Sequence, residues 1–327
     1  MNDLVVVKAP LRISFVGGGT DYKNYYKHSG GCVFSAAIDK YVYILIKKYH
    51  NDKRCVFKYS KSEQVNKIND IKHPLIKNSL SITGVWGIDL HSIADIPGGT
   101  GLGSSSSFTV ALIKALNEYK RKKISKSQLA QKACDVEINL SKSPTGKQDQ
   151  YAAAYGGVNT FLFKKNEKVE VKNFSNKKII KNFKENLLLI NTGIQKKNQL
   201  ILQDQMKNIS LGGKYLENLK LINDSVEIFK KNLIKKDYRL CGEILHENWK
   251  RKISLSKKTR NLFIDEVYSE AINQGAYGGK VCGAGGRGFL LLICPKNIQR
   301  NIKKKLYKLQ FLDFDFDYEG CKVIKLI

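Results

Sequence analysis

Twelve consecutive residues, Pro97-Gly-Gly-Thr-Gly-Leu-Gly-Ser-Ser-Ser-Ser-Phe108, constrain this chain more than any other segment. They join a glycine-rich turn directly to a helix. Beyond Ser104 the apolar residues Phe108, Ala111, Leu112, Ala115, Leu116 and Tyr119 recur at helical spacing on one face. Such a loop lets backbone N–H groups approach an anion, and the helix start aims unsatisfied N–H groups and its positive dipole end at the same point. The serines add hydroxyl donors, whereas an N-cap alone needs one serine rather than four. The segment therefore reads as a phosphate cradle. It lacks the Gly-Lys-Ser/Thr ending of a Walker loop.

A second glycine run, Gly283-Ala-Gly-Gly-Arg-Gly-Phe289, fits the spacing of a dinucleotide fingerprint but leads into the strand-like Phe289-Leu-Leu-Leu-Ile293 instead of a helix. That order rejects a Rossmann site and leaves a loop that brings backbone close to a ligand or to another turn. A third stretch holds Glu137, Lys142, Pro144, Lys147, Asp149 and Gln150. Glu137 falls on the border of an apolar helical face, where a carboxylate needs a cation, either a metal or a lysine. Asp149 opens a short Ala-rich helix and is either its N-cap or a functional carboxylate.

The rest of the pattern indicates an α+β chain. Strands are expected at 4–7, 32–38, 41–49, 53–59, 85–93, 157–163, 187–192, 280–294, 311–317 and 321–326. Helices are expected at 104–119, 126–141, over much of 198–273, and at 296–309. Residues 60–84 read as polar and loop-rich. Weak patterning near 165–185 suggests two domains, 1–175 and 176–327.

Charge raises the alternative of a nucleic-acid partner, since 57 Lys+Arg against 29 Asp+Glu give +28. The excess is dispersed, with 23 − 12 = +11 over residues 1–160 and 34 − 17 = +17 over 161–327, and only 8 of the basic residues are Arg. Base and bidentate phosphate readout favour Arg, so most of this charge reads as solvated surface, with no nucleic-acid partner. No apolar run reaches the roughly 20 residues of a membrane span. The 7 cysteines are odd in number and include no CxxC pair, as for reduced thiols in a cytoplasmic protein.

With these three segments in hand, the chain resembles the GHMP sugar and isoprenoid kinases. Ala9-Pro-Leu-Arg-Ile-Ser-Phe-Val-Gly-Gly-Gly-Thr-Asp21 is similar to their first motif, Pro97 to Ser107 to the second, and Lys280 to Phe289 to the third, in the same order and at similar separations. The resemblance implies an N-terminal domain like ribosomal protein S5 domain 2, a ferredoxin-like C-terminal domain, and ATP with Mg²⁺ between them. It implies that Asp149 is the catalytic base, with Arg12 beside it. Ser105 and Glu137 match the Mg²⁺ ligands. Pro97, Gly98, Gly99, Thr100, Gly101, Leu102, Gly103, Ser104, Ser105 and Ser106 match the nucleotide loop. Asp21, with Gly18, Gly19 and Thr20, matches the sugar-hydroxyl ligand of the galactokinase branch.

The Gly-Gly-Gly-Thr-Asp variant and the run Gly-Lys-Gln-Asp-Gln-Tyr-Ala-Ala-Ala are most similar to the heptose 7-phosphate kinase branch, with fucokinase-like enzymes next. That implies phosphorylation of an anomeric hydroxyl on a sugar phosphate. Thr192, Gly193, Gly285 and Gly286 are expected in the substrate pocket, and Lys147, Lys142 and Arg287 as candidates to hold the substrate's phosphate. Arg287 departs from the glycine usual in the third motif. A homodimer is compatible with the resemblance and is not specified by the sequence.

Overall fold

The computed structural model describes residues 3–50, 53–193 and 198–327. β1 (Leu4–Val16) and β2 (Gly31–Lys48), linked through α1 (Lys23–Ser29), form a long antiparallel pair at the centre of the first sheet. The start of β1 alternates buried and half-buried residues, whereas everything from Ala9 to Val16 is buried. That change marks where the strand passes from a one-sided to a two-sided environment. The pairing register shifts between Pro10 and Leu11 and again between Ser14 and Val16. These bulges bracket Arg12 and bend the strand where it meets the cleft.

β2 is long enough to serve two partners. Its first half pairs with β6 (Val158–Phe163) and its second with β5 (Ile88–Ala94). β5 is parallel to β3 (Cys55–Lys58), which carries β4 (Ser62–Val65), and β6 carries β7 (Val169–Asn173). On the other side, β12 (Lys322–Leu326) pairs with β1. The second sheet is antiparallel, in the order β11 (Gln310–Phe311), β8 (Leu187–Asn191), β10 (Phe289–Ile293), β9 (Gly278–Val281). Residues 322–326 thus return to the first sheet, and a division at 175/176 separates that last strand from its partners.

Two stretches differ from the sequence expectation. The supposedly loop-rich 60–84 contains β4 and α2 (Pro74–Thr83), which buries Leu75, Ile76 and Leu80. Pro74 at its first turn and left-handed Gly84 at its end are the signals that define this helix. The strand expected over 311–317 shrinks to two residues of β11 plus a bridge between Phe316 and Ile38. There Asp313 and Asp315 accept from the N–H groups of Phe314 and Phe316, a local bonding that competes with a ladder.

α3 (Ser104–Tyr119) packs on β1 and β2, and the helices Lys214–Lys235 and Tyr238–Leu255 also contact β1. The largest apolar core is continuous across the sheets: Phe15 lies 5.7, 5.2 and 6.3 Å, ring to ring, from Phe34, Phe183 and Phe229. All 7 cysteines are buried and free. Among the described residues no helix is long and apolar enough to cross a membrane.

Candidate active site

A cleft opens where β1, the start of α3, the segment before α5 (Gln148–Tyr155) and the loop after β9 converge. Its closest backbone approach is between the two glycine runs. Gly101 has φ +84°, and a Cβ there would lie 2.3 Å from the carbonyl oxygen of Cys282. Gly283 meets Gly101 equally closely from the other side. Only glycine fits at this crossing. The second run is thus a strand-to-strand turn that buttresses the glycine loop before α3.

Arg12 spans the floor. Its Nε and Nη2 donate to Asp149 Oδ1 and Oδ2 at 2.7 and 2.6 Å, and Nη1 donates to the Gly101 carbonyl at 2.6 Å. Asp149 is not a cap: it sits inside the first turn of α5 and faces the guanidinium as a bidentate pair.

Glu137 arrives by a different route. The periodicity predicts one helix over 126–141 that buries Leu140. Instead α4 (Lys126–Cys134) passes into a wider turn over Asp135–Leu140, closed by a bond from the Ser141 N–H to the Val136 carbonyl. Glu137, one turn after Ala133, stays on the buried face, whereas the five-residue step turns Leu140 outward, leaving it 48 % exposed. Glu137 Oε1 accepts from Ser105 (2.6 Å), and Oε2 from Ser106 and Gln150 (2.7 Å each). Burial raises its carboxyl above the usual range despite those three donors. A buried carboxylate served only by neutral donors, beside a serine hydroxyl on the cleft wall, suits a divalent cation shared with phosphate oxygens, the common mode for Mg²⁺.

Asp21 is anchored by the Gly19 and Gln148 N–H groups at 3.1 Å each, and burial followed by the nearby Asp149 raises its carboxyl. Gly146 passes so close that a Cβ would lie 1.9 Å from Asp21 Oδ2.

The cleft gathers Arg12, Gly18, Gly19, Asp21, Gly99, Gly101, Gly103, Ser104, Ser105, Ser106, Glu137 and Asp149. Other expected residues lie elsewhere. Pro97 and Gly98 are exposed on the outer rim. Leu102 is in the core, and its carbonyl accepts from the Arg12 N–H. Thr20 pins the first glycine turn to the Gly17 and Cys32 carbonyls. Thr100 accepts from the Phe289 N–H, and Thr192 donates to the Gly288 carbonyl, so both tie loops together.

The three expected phosphate ligands are not in the cleft. Lys147 turns toward the Glu167 carbonyl and the Tyr26 ring. Arg287 lies over Phe263 with Gly193 against it, and Lys142 sits at a positive-φ turn. Gly285 packs on Thr259, and the Gly286 N–H donates to the Thr259 carbonyl. Ile194 and Gln195, directly after Thr192 and Gly193, lie outside the described residues.

Sequence reasoning missed Lys252, Lys280 and Gln148, all on the cleft wall. Lys280 stood at the head of the third motif, before the second glycine run, where its strand context hid it. Burial and their mutual repulsion lower the Lys280 ammonium to about 7, and burial and Arg12 lower that of Lys252 to about 8.

The sequence pattern of the GHMP kinases N terminal domain matches residues 71–157, and that of the GHMP kinases C terminal domain matches 229–309. The chain is 30% identical to D-glycero-alpha-D-manno-heptose 7-phosphate kinase of Campylobacter jejuni, over 96% of this chain and 97% of that one. A crystal structure of a D-glycero-D-manno-heptose 1-phosphate kinase from Bacteriodes thetaiotaomicron superposes with a TM-score of 0.80 at 25% identity, covering 99% of each chain. Lactococcus lactis galactokinase complexed with galactose shares the fold, with a TM-score of 0.74 at 17% identity over 99% of this chain and 95% of that one.

Proposed function

The chain belongs to the GHMP kinases, phosphotransferases that take ATP as donor, and from that premise we propose that it phosphorylates the anomeric hydroxyl of D-glycero-D-manno-heptose 7-phosphate. The product would be the 1,7-bisphosphate, a precursor of nucleotide-activated heptose for surface polysaccharide. The observation that carries this reading is the end-to-end likeness to the Campylobacter enzyme, which spans both sheets and every wall of the cleft.

In this reading the serine loop and the start of α3 hold the β- and γ-phosphates through backbone N–H groups and hydroxyls. Ser105 and Glu137 would hold Mg²⁺, which when bound neutralises charge on the transferring phosphate. Asp21 accepts hydrogen bonds from ring hydroxyls and fixes the sugar. Asp149 takes the proton of the attacking hydroxyl as its oxygen bonds to the γ-phosphorus and the bond from that phosphorus to the β,γ-bridging oxygen breaks, releasing ADP. Arg12 orients Asp149 and retains two unused N–H donors for the transferring group.

A coupled ADP-release assay over heptose 7-phosphate, mannose, fucose and galactose tests the assignment. Heptose 7-phosphate should give the highest kcat/KM. A higher value for fucose or galactose would replace the substrate while leaving the kinase class intact.

A further inference from the structure

Charge bookkeeping inside the cleft leaves two cations unassigned. Arg12 is matched by Asp149, Glu137 is served by hydroxyls and an amide, and Asp21, the remaining carboxylate, is held by the Gly19 and Gln148 N–H groups. Lys252 and Lys280 have no carboxylate within ion-pair distance among the described residues. Each donates to one carbonyl: Lys252 to Gly283, and Lys280 to Phe15 at 3.1 Å. An ammonium has three donors, so two remain on each.

A neighbouring donor is also unsatisfied. Gln148 Oε1 is taken by Ser14 (3.1 Å), while its buried Nε2 has no partner. The groups adjoin: a Cβ placed on Gly18 would sit 3.4 Å from Ser14 Oγ and 3.9 Å from Lys280 Nζ. Gly18 leads into Asp21, and Lys252 reaches the same cleft from the turn at Gly283. Buried cations and an orphaned buried amide are costly unless a ligand completes them.

We propose that Lys252, Lys280 and Gln148 form the subsite for the phosphate that the acceptor sugar already carries, and so select a sugar phosphate over a free sugar. The proposal rests on the sugar-phosphate kinase reading above and supplies its missing clamp. A dianionic phosphate offers acceptor oxygens for all these donors and restores the charge that burial suppresses on both lysines.

Two measurements test it. In steady-state kinetics, Lys280→Met and, at the more exposed position, Lys252→Met should each raise KM for heptose 7-phosphate about 10- to 100-fold. KM for ATP should change less than about 3-fold, and the preference for heptose 7-phosphate over unphosphorylated heptose should shrink. A variant that raises KM for ATP and keeps the preference assigns the lysines to the nucleotide and overturns the proposal.

Independently, titration calorimetry of inorganic phosphate into enzyme loaded with a non-hydrolysable ATP analogue and Mg²⁺ should show binding that Lys280→Met abolishes. Competition between phosphate and the analogue, or undiminished binding to the folded variant, refutes it. Lysine-dependent phosphate binding in an enzyme that ignores heptose 7-phosphate supports the subsite and rejects that particular sugar.

Discussion

Arg12 commits three of its five donors before any ligand arrives, so it braces Asp149 and the Gly101 turn. Asp149→Asn should lower kcat about 100- to 10,000-fold with little change in ATP affinity, measured by ADP release. Arg12→Lys should be nearly as damaging as Arg12→Met, because an ammonium cannot reproduce the bidentate geometry. Recovery of most activity by lysine would mean that charge alone matters.

Lys280 makes a separate claim on stability. Its pKa in the folded chain is lowered below the unfolded value, so the unfolded chain binds more protons between about pH 7 and 10, and the group's contribution falls as pH drops through that window. Lys280→Met should therefore raise the thermal midpoint by at least about 3 °C at pH 7, with a gain that vanishes near pH 10. A gain independent of pH would assign the effect to packing instead. Arg12, Asp21, Ser105, Glu137 and Asp149 were legible in the sequence because motif order placed them. Lys252 and Lys280 were not, because one lysine among 49 carries no mark of burial.

Elements place these groups through departures from regularity. The wide turn at 135–140 turns Leu140 outward by adding one residue to a helical step, and a 3.6-residue periodicity has no means of showing it. Glu137→Ala, at the entry to that turn, should lower activity at least about 100-fold while far-UV dichroism stays near wild type. Unchanged activity would separate Glu137 from the chemistry. The crossing of Gly101 and Gly283 is similarly intolerant. Gly101→Ala adds a Cβ against the Cys282 carbonyl in a left-handed conformation and should cost about 1–3 kcal/mol, read from denaturant midpoints. The regular helices were readable from their apolar spacing, α3 above all. α2 was obscured by the polar residues around it, and the aspartates of 313–315 prevented the expected strand.

At the scale of the molecule, one aromatic core joins the sheets and β12 closes the first of them. Calorimetry should accordingly show a single cooperative transition, and a chain ending at residue 318 should melt several degrees lower with broadened cooperativity. Two resolved transitions would mean that the halves are thermally independent despite their shared phenylalanines. The α+β architecture was readable from interleaved patterns, but the return of the last strand was not, because pairing across the whole chain leaves no local periodic trace. That return also sets a clock. β12 begins 322 − 16 = 306 residues after β1 ends, which at 5–20 residues per second is roughly 15–60 s of synthesis. Throughout that interval the outer edge of β1 is an unpaired template, and a nascent chain must be kept from neighbouring edges until its own final strand emerges.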